Sequence, residues 1–229
     1  MTQALIIDVA FDLICPWCLI GKRNLDCAVQ LMRERHPDST VNVRWHGVQL
    51  LPDIPEAGVP FAEFYEQRLG GKEAVRTRQA QVNAAAANAG LAIHLERIKT
   101  MPNTGKAHRL LSYAANSSGP AQYAALYDQL LERLFAAYFI HGENIGDTAT
   151  LTHIAQSVGL NTDNLATWLA VSHQPTNEEL ARAGVPFFMF NQRHSVAGAQ
   201  SPTHLLYGMR TVINEGLDHD TPISTAAWH

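Results

Sequence analysis

Two cysteines three positions apart, Cys15 and Cys18, are the residues of this chain best placed to do chemistry. A short apolar, β-prone run from Leu5 to Ile14 leads into Cys15-Pro16-Trp17-Cys18, and a helical pattern follows. Residues at i and i+3 share one helical face, roughly 5–6 Å apart, within reach of a disulfide. Pro16 suits a first helical turn, where its missing N–H would have no partner in any case. The unpaired N–H groups and positive dipole end of a helix favour a thiolate over a thiol. The spacing therefore predicts a dithiol that exchanges disulfides. A zinc site would need a second ligand pair, and no second Cys-x-x-Cys or closely spaced histidine pair is present, so no metal is expected.

The surrounding pattern says what must hold that pair. Residues 4–11 read as a buried strand, continuous and β-branched rather than alternating. From Pro16 to about Arg35 the apolar positions Leu19, Ile20, Leu25, Val29, Leu31 and Met32 mark a helix packed on it. His36-Pro37-Asp38 stops that helix. Val41 to His46 alternates apolar and polar as a second strand. The three elements form a βαβ unit with parallel strands and a right-handed crossover. A Cys-x-x-Cys beside such a unit reads as thioredoxin-like. Cys27 lies on the far side of the same helix, roughly 13 Å further along its axis, too far for a bridge. Its expected role is a small buried hydrophobe.

After Pro52, Pro55, Gly58 and Pro60 the chain reads helical from Phe61 to about His173. The Ala-rich stretch Lys72 to Ala89 ends at Gly90. Asn103 or Thr104 caps a helix from Lys106 to Ala115, and Gly119-Pro120 restarts a long one through Tyr138. Asp147-Thr148 and Asn161-Thr162 read as further N-caps, with Gly159 ending the helix between them. β-type sequence returns at Val185 to Phe190. Asn191-Gln192-Arg193 reads as a hairpin connection and His194 to Gly198 as the return strand. Ser201-Pro202 starts a last helix through about Ile213. From Gly216 to His229 there is no periodicity. The expected class is α/β: a thioredoxin-like domain in two halves, residues 1–52 and 176–216, with an all-helical domain, 53–175, inserted between them. A loosely attached tail, 217–229, follows.

Composition narrows the partners. A net charge of −4 leaves no basic surplus for nucleic acid or an anionic membrane surface. No apolar run of about 18 residues and no basic leader occur, so the expectation is a soluble cytoplasmic protein. Only three cysteines, two of them in the motif, exclude a disulfide-stapled secreted scaffold.

Pro186 is the discriminating residue of the C-terminal half. It heads a strongly β run, where a proline that cannot donate to the ladder belongs at a strand's start or edge. The sequence resembles the DsbA-like thioredoxin-fold proteins, specifically the FrnE-like branch of cytoplasmic disulfide oxidoreductases. That branch adjoins the 2-hydroxychromene-2-carboxylate isomerases and the kappa-class glutathione transferases. The resemblance runs from about residue 5 to 213 and is carried by Asp12 to Arg23, Arg44-Trp45, Leu50, Pro102-Asn103-Thr104, Ala107 to Leu110, Ile145-Gly146-Asp147, Gly184 to Phe188 and Val196 to Gln200. Two departures stand out. The approach from Glu179 to Gly184 is a few residues short, and Trp45-His46-Gly47 replaces the commoner Arg-Trp-Arg-Pro type of pattern.

The resemblance implies a cis Val185–Pro186 bond facing the sulfurs, with the Val185 backbone presented to an extended substrate. A trans edge-strand proline is the alternative. It implies Cys15, nearest solvent, as the attacking thiolate and Cys18 as the resolving thiol. Pro16 and Trp17 set the redox poise. Asn103 and Thr104 approach the dithiol from the insert, or else only cap a helix. No bound cofactor is implied beyond the redox-active Cys15–Cys18 disulfide, with glutathione as a possible co-substrate. The partners implied are thiol- or disulfide-containing proteins or small molecules, with the oligomeric state left open, a dimer included. One rival is a glutathione-dependent isomerase or transferase, whose relatives carry serine where Cys15 stands. A second is a non-catalytic thioredoxin-fold chaperone module.

Overall fold

The computed structural model describes residues 4–117, 120–170 and 183–213. Its main sheet has four strands in the order β2-β1-β5-β6. They are β1 (Ala4–Phe11), β2 (Thr40–Gly47), β5 (Phe187–Phe190) and β6 (His194–Ala197). The central strand β1 is buried on both faces along most of its length, with Leu5, Ile7, Val9 and Phe11 on one face and Asp8 and Ala10 on the other. It pairs in parallel with β2, Ala4 opposite Thr40 through Phe11 opposite Gly47, and antiparallel with β5, Ile7 opposite Phe190 through Ala10 opposite Phe187. The β5–β6 hairpin turns through Asn191 and Gln192, both at positive φ. Asparagine suits that backbone, and its Oδ1 accepts the Ile6 N–H at 2.7 Å, tying the hairpin to β1.

Helix α1 (Pro16–Arg35) joins β1 to β2 and packs beside α8 (Pro202–Ile213) against the sheet. Ser201 caps α8, its Oγ accepting the His204 N–H. Between β2 and β5 lie α2 (Phe61–Leu69), α3 (Lys72–Asn88), α4 (Gly105–Ser117), α5 (Pro120–Phe139), α6 (Thr148–Ser157) and α7 (Leu165–Ala170). Asp147 caps α6, its carboxylate accepting the Thr150 N–H at 2.8 Å. The insert expected to be all-helical, 53–175, also contains a short antiparallel ribbon, β3 (Val59–Pro60) with β4 (Thr100–Met101), and a 3-10 turn at Leu95–Arg97. Two-residue strands are too short to leave a period-2 signal. The shortened approach Glu179 to Gly184 falls mostly, and the tail 217–229 wholly, outside the described residues.

Apolar burial falls into two clusters. One lies between the sheet, α1 and α8, with Ile7, Val9, Leu25, Met32, Phe188, Phe190, Leu205 and Met209. The other runs from Phe11, Leu13, Cys15, Cys18 and Leu19 into α4–α7, through Leu110, Leu134, Phe135, Tyr138, Leu151 and Leu165. The dithiol belongs to the second cluster, at the seam between the sheet and the intervening helices.

Candidate active site

Cys15 is the N-cap of α1, in extended backbone, and Pro16 is the first residue of the helix proper. Its N–H donates to the Asp12 carbonyl at 3.2 Å, and its own carbonyl accepts the Cys18 N–H at 3.0 Å. Sequence order thus becomes depth. Cys15 is 7% exposed and Cys18 1%, both free thiols. Cys15 is therefore more enclosed than expected from its place first in the motif, because Val185 and the second cluster pack around it. Burial pushes the Cys18 thiol well up from its ordinary range, and the adjacent Cys15 sulfur adds to it. The Asp12 backbone pulls it down by hydrogen bonding. Cys27 is exposed, not buried as its apolar neighbours suggested. On the side of α1 opposite the buried Leu25, Ala28 and Val29, it faces solvent beside Asp26.

The C-terminal half closes over the pair. The Val185–Pro186 bond is cis, and the Cys15 sulfur lies 3.9 Å from the Val185 carbonyl oxygen. Pro186 is buried against α1. A Cβ on Gly21, one turn after Cys18, would sit 3.0 Å from the Pro186 ring and 3.1 Å from Phe188, so a side chain there would press helix and strand apart by a few tenths of an ångström. Trp17 and Pro16 line a cavity of about 250 Å³ shared with α2, α3 and the end of α5. Asn103 is committed elsewhere. Its amide oxygen accepts the Gly105 N–H at 2.9 Å and the Gln49 amide at 2.6 Å, and its nitrogen donates to Ile54 O at 2.6 Å. Thr104 is buried, with its hydroxyl unpartnered. The Asn103 hydrogen bonds brace the β2–α2 loop against α4 and do not run to the dithiol.

Sequence reasoning did not single out the polar pair beneath the motif. Asp12, wholly buried, accepts the Leu13 N–H at 2.7 Å and the Leu50 N–H at 2.8 Å. His108 Nε2 lies 2.9 Å from Asp12 Oδ1, and its Nδ1 is unpartnered. A Cβ on Gly47 would overlap the His108 ring, which explains why Trp45-His46-Gly47 departs from a bulkier pattern. The signal was an acid inside an apolar run three residues before Cys15. Lys22, equally buried, is held by Asp26, Asp128 and Glu132 at 3.1, 2.9 and 2.7 Å. Burial opposes its charge, but the three carboxylates outweigh it and raise its pKa. No group of three potential metal ligands occurs among the described residues.

The strand–helix dithiol under Val185–Pro186, with helices inserted before β5, has counterparts among known proteins. A model of the DSBA-like thioredoxin domain matches residues 6–210. The chain belongs to that family. YwbO of Bacillus subtilis, an uncharacterised protein, is 25% identical over 155 residues, covering 68% of this chain and just under two thirds, 66%, of that relative. A probable DsbA oxidoreductase from Streptomyces coelicolor superposes with a TM-score of 0.78 at 22% identity, covering 97% of this chain and 95% of its own. The cytosolic disulfide reductase DsbM from Pseudomonas aeruginosa, solved with GSH, gives 0.60 at 17%, covering 91% and 98%. The 2-hydroxychromene-2-carboxylate isomerase gives 0.61 at 13%, covering 92% and 97%. These likenesses show a DsbA-like thioredoxin fold, α/β in class. No helix among the described residues is long and apolar enough to cross a membrane.

Proposed function

We propose that this protein is a thiol–disulfide oxidoreductase or isomerase working through Cys15 and Cys18. The observation that carries the reading is the graded pair on the first turn of α1, Cys15 against the Val185 carbonyl and Cys18 one turn deeper. Cys15 attacks a partner disulfide, forming a mixed disulfide and releasing one partner thiolate. Cys18, held as a thiol by burial, then loses its proton and attacks the Cys15 sulfur. That step releases the second thiolate and leaves a Cys15–Cys18 disulfide. The reverse sequence reduces the protein at the partner's expense. Pro16 and Trp17 wall the cavity beside the sulfurs, Val185 and Pro186 offer backbone to an extended partner, Asn103 supports the adjoining loop, and Thr104 is buried beside it. The helical insert, residues 53–175, covers the site and selects the partner. The partner class is a disulfide or thiol, protein or small, with glutathione as co-substrate. The reducing cytoplasm is the compartment in which a three-cysteine chain of this kind would work.

The isomerase likeness favours a second reading, a glutathione-dependent isomerase or transferase. Cys15 speaks against it, since that chemistry activates a bound thiol and needs none from the protein. One experiment separates them. Cys18→Ala should accumulate mixed disulfides at Cys15 when offered glutathione disulfide, and Cys15→Ser should abolish exchange. Glutathione-dependent turnover of an electrophile that survives Cys15→Ser would establish the second reading.

A further inference from the structure

The cavity beside the motif is charged in one sense only. Its apolar wall includes Phe61, Leu95 and Phe139, its charged lining residues are Arg68 and Arg78, and no carboxylate lines it among the described residues. Both arginines are exposed at the rim, Arg68 with its guanidinium 5.8 Å from the centre of the Phe64 ring. Neither forms an ion pair among the described residues. Tyr65 lines the same cavity, together with Pro16 and Trp17 of the motif. Burial and then the Cys15 charge push its hydroxyl up to about 12, while Arg68 and Arg78 pull it down. Sulfur, phenol and both guanidinia therefore share one electrostatic environment.

We propose that this cavity selects partners with an apolar body and an anionic group. The body lies against Phe61, Leu95 and Phe139, and a carboxylate or sulfonate pairs with Arg68 and Arg78. A guanidinium pairs with a planar carboxylate through two parallel hydrogen bonds, and the apolar wall supplies affinity in proportion to the area it covers. Glutathione, polar throughout and carrying an ammonium as well as carboxylates, suits the sulfur chemistry but leaves the wall unused. This inference rests on the Cys15–Cys18 reading.

The test compares two aromatic disulfides of like body and different charge. The reduced full-length protein carries Cys27→Ser, which removes the exposed thiol. It is mixed with dianionic 5,5′-dithiobis(2-nitrobenzoate) or neutral 4,4′-dithiodipyridine, and release of two aryl thiolates per dithiol is followed by absorbance. Arg68→Gln and Arg78→Gln should each slow the dianion about fivefold at low salt, less at high salt, and leave the neutral reagent unchanged. The remote Arg210→Gln should change neither. Equal slowing of both reagents, no slowing, or the same slowing from Arg210→Gln overturns the proposal. In the same background Cys15→Ser leaves Cys18 as the one remaining thiol, and release of its single aryl thiolate as fast as the first release from the parent protein would instead overturn the dithiol reading. Binding alone provides a separate check through energy transfer from Trp17, which lines the cavity. Anionic 1-anilinonaphthalene-8-sulfonate should bind more tightly than neutral N-phenyl-1-naphthylamine, and the two arginine variants should erase the difference. Equal binding in the unaltered protein overturns the proposal.

Discussion

Cys18 and Cys15 differ in depth before they differ in chemistry. With 1% of its surface exposed and its thiol pushed up by burial, Cys18 should resist alkylation at neutral pH. Cys27 should label readily on exposure alone. Peptide mass spectrometry after brief iodoacetamide treatment of the reduced protein tests this, and labelling of Cys18 as fast as Cys27 would refute the burial argument. The motif was legible because two cysteines, a proline and a helix start sit in one short stretch of chain. Its support was not. Asp12 is visible as an acid in an apolar run, but its partner His108 is 96 residues away, and no local pattern reports that separation. Removing one member of a buried polar pair strands the other. Asp12→Ala should therefore cost about 3 kcal/mol, read as a lowered urea midpoint. Asp12→Ala combined with His108→Leu should cost clearly less than the sum of the single substitutions. Additive costs would mean that the pair is not a unit.

Helix α1 carries the motif on its first turn and an anchor on its second. Lys22 reaches across to α5, where Asp128 and Glu132 hold it together with Asp26 of its own helix. It also lies 5.9 Å from the centre of the Trp45 ring. The ammonium thus fixes the helix bearing the cysteines against the inserted helices. Lys22→Met removes that neutralisation and leaves three carboxylates facing one another. The expected loss is about 2 kcal/mol at pH 7, modest because the carboxylates are partly exposed. The loss should shrink towards pH 5 as Asp26, whose carboxyl burial already raises, takes up its proton. Urea midpoints of both proteins at the two pH values test this, and a pH-independent difference would mean that Lys22 acts through packing. Long elements such as α1, β1 and α3 were legible because period and caps agree over many residues. The β3–β4 ribbon was not, since its pairing of Val59 with Met101 is a tertiary contact.

At the scale of the molecule, the dithiol sits at the seam between the sheet and the inserted helices, so ionising the seam should weaken the whole fold. Switches of sequence texture made the inserted order legible, β-type to helical after Pro60 and back at Val185. The seam itself was not legible, because it is built by Leu134, Phe135 and Tyr138 packing near Phe11 and Cys18 from far along the chain. Three acids of this region, Cys18, Tyr65 and Tyr138, hold their protons above ordinary values, chiefly through burial. Lys22 holds its proton longer too, through its carboxylates. For all four, the unfolded chain releases the proton at a lower pH than the native state. Between the unfolded and native values the native protein binds more protons, so stability must fall as pH rises through that window. Below the unfolded cysteine value of about 8.5 these contributions are constant. The urea midpoint of the reduced protein should therefore be level from pH 7 to 8 and decline from about pH 9. Cys18→Ala removes the earliest of the four ionisations, so the decline should begin nearer pH 10, where tyrosine and lysine start to titrate in the unfolded chain. An onset that stays near pH 9 in Cys18→Ala would show that the buried thiol does not set the alkaline limit of the fold.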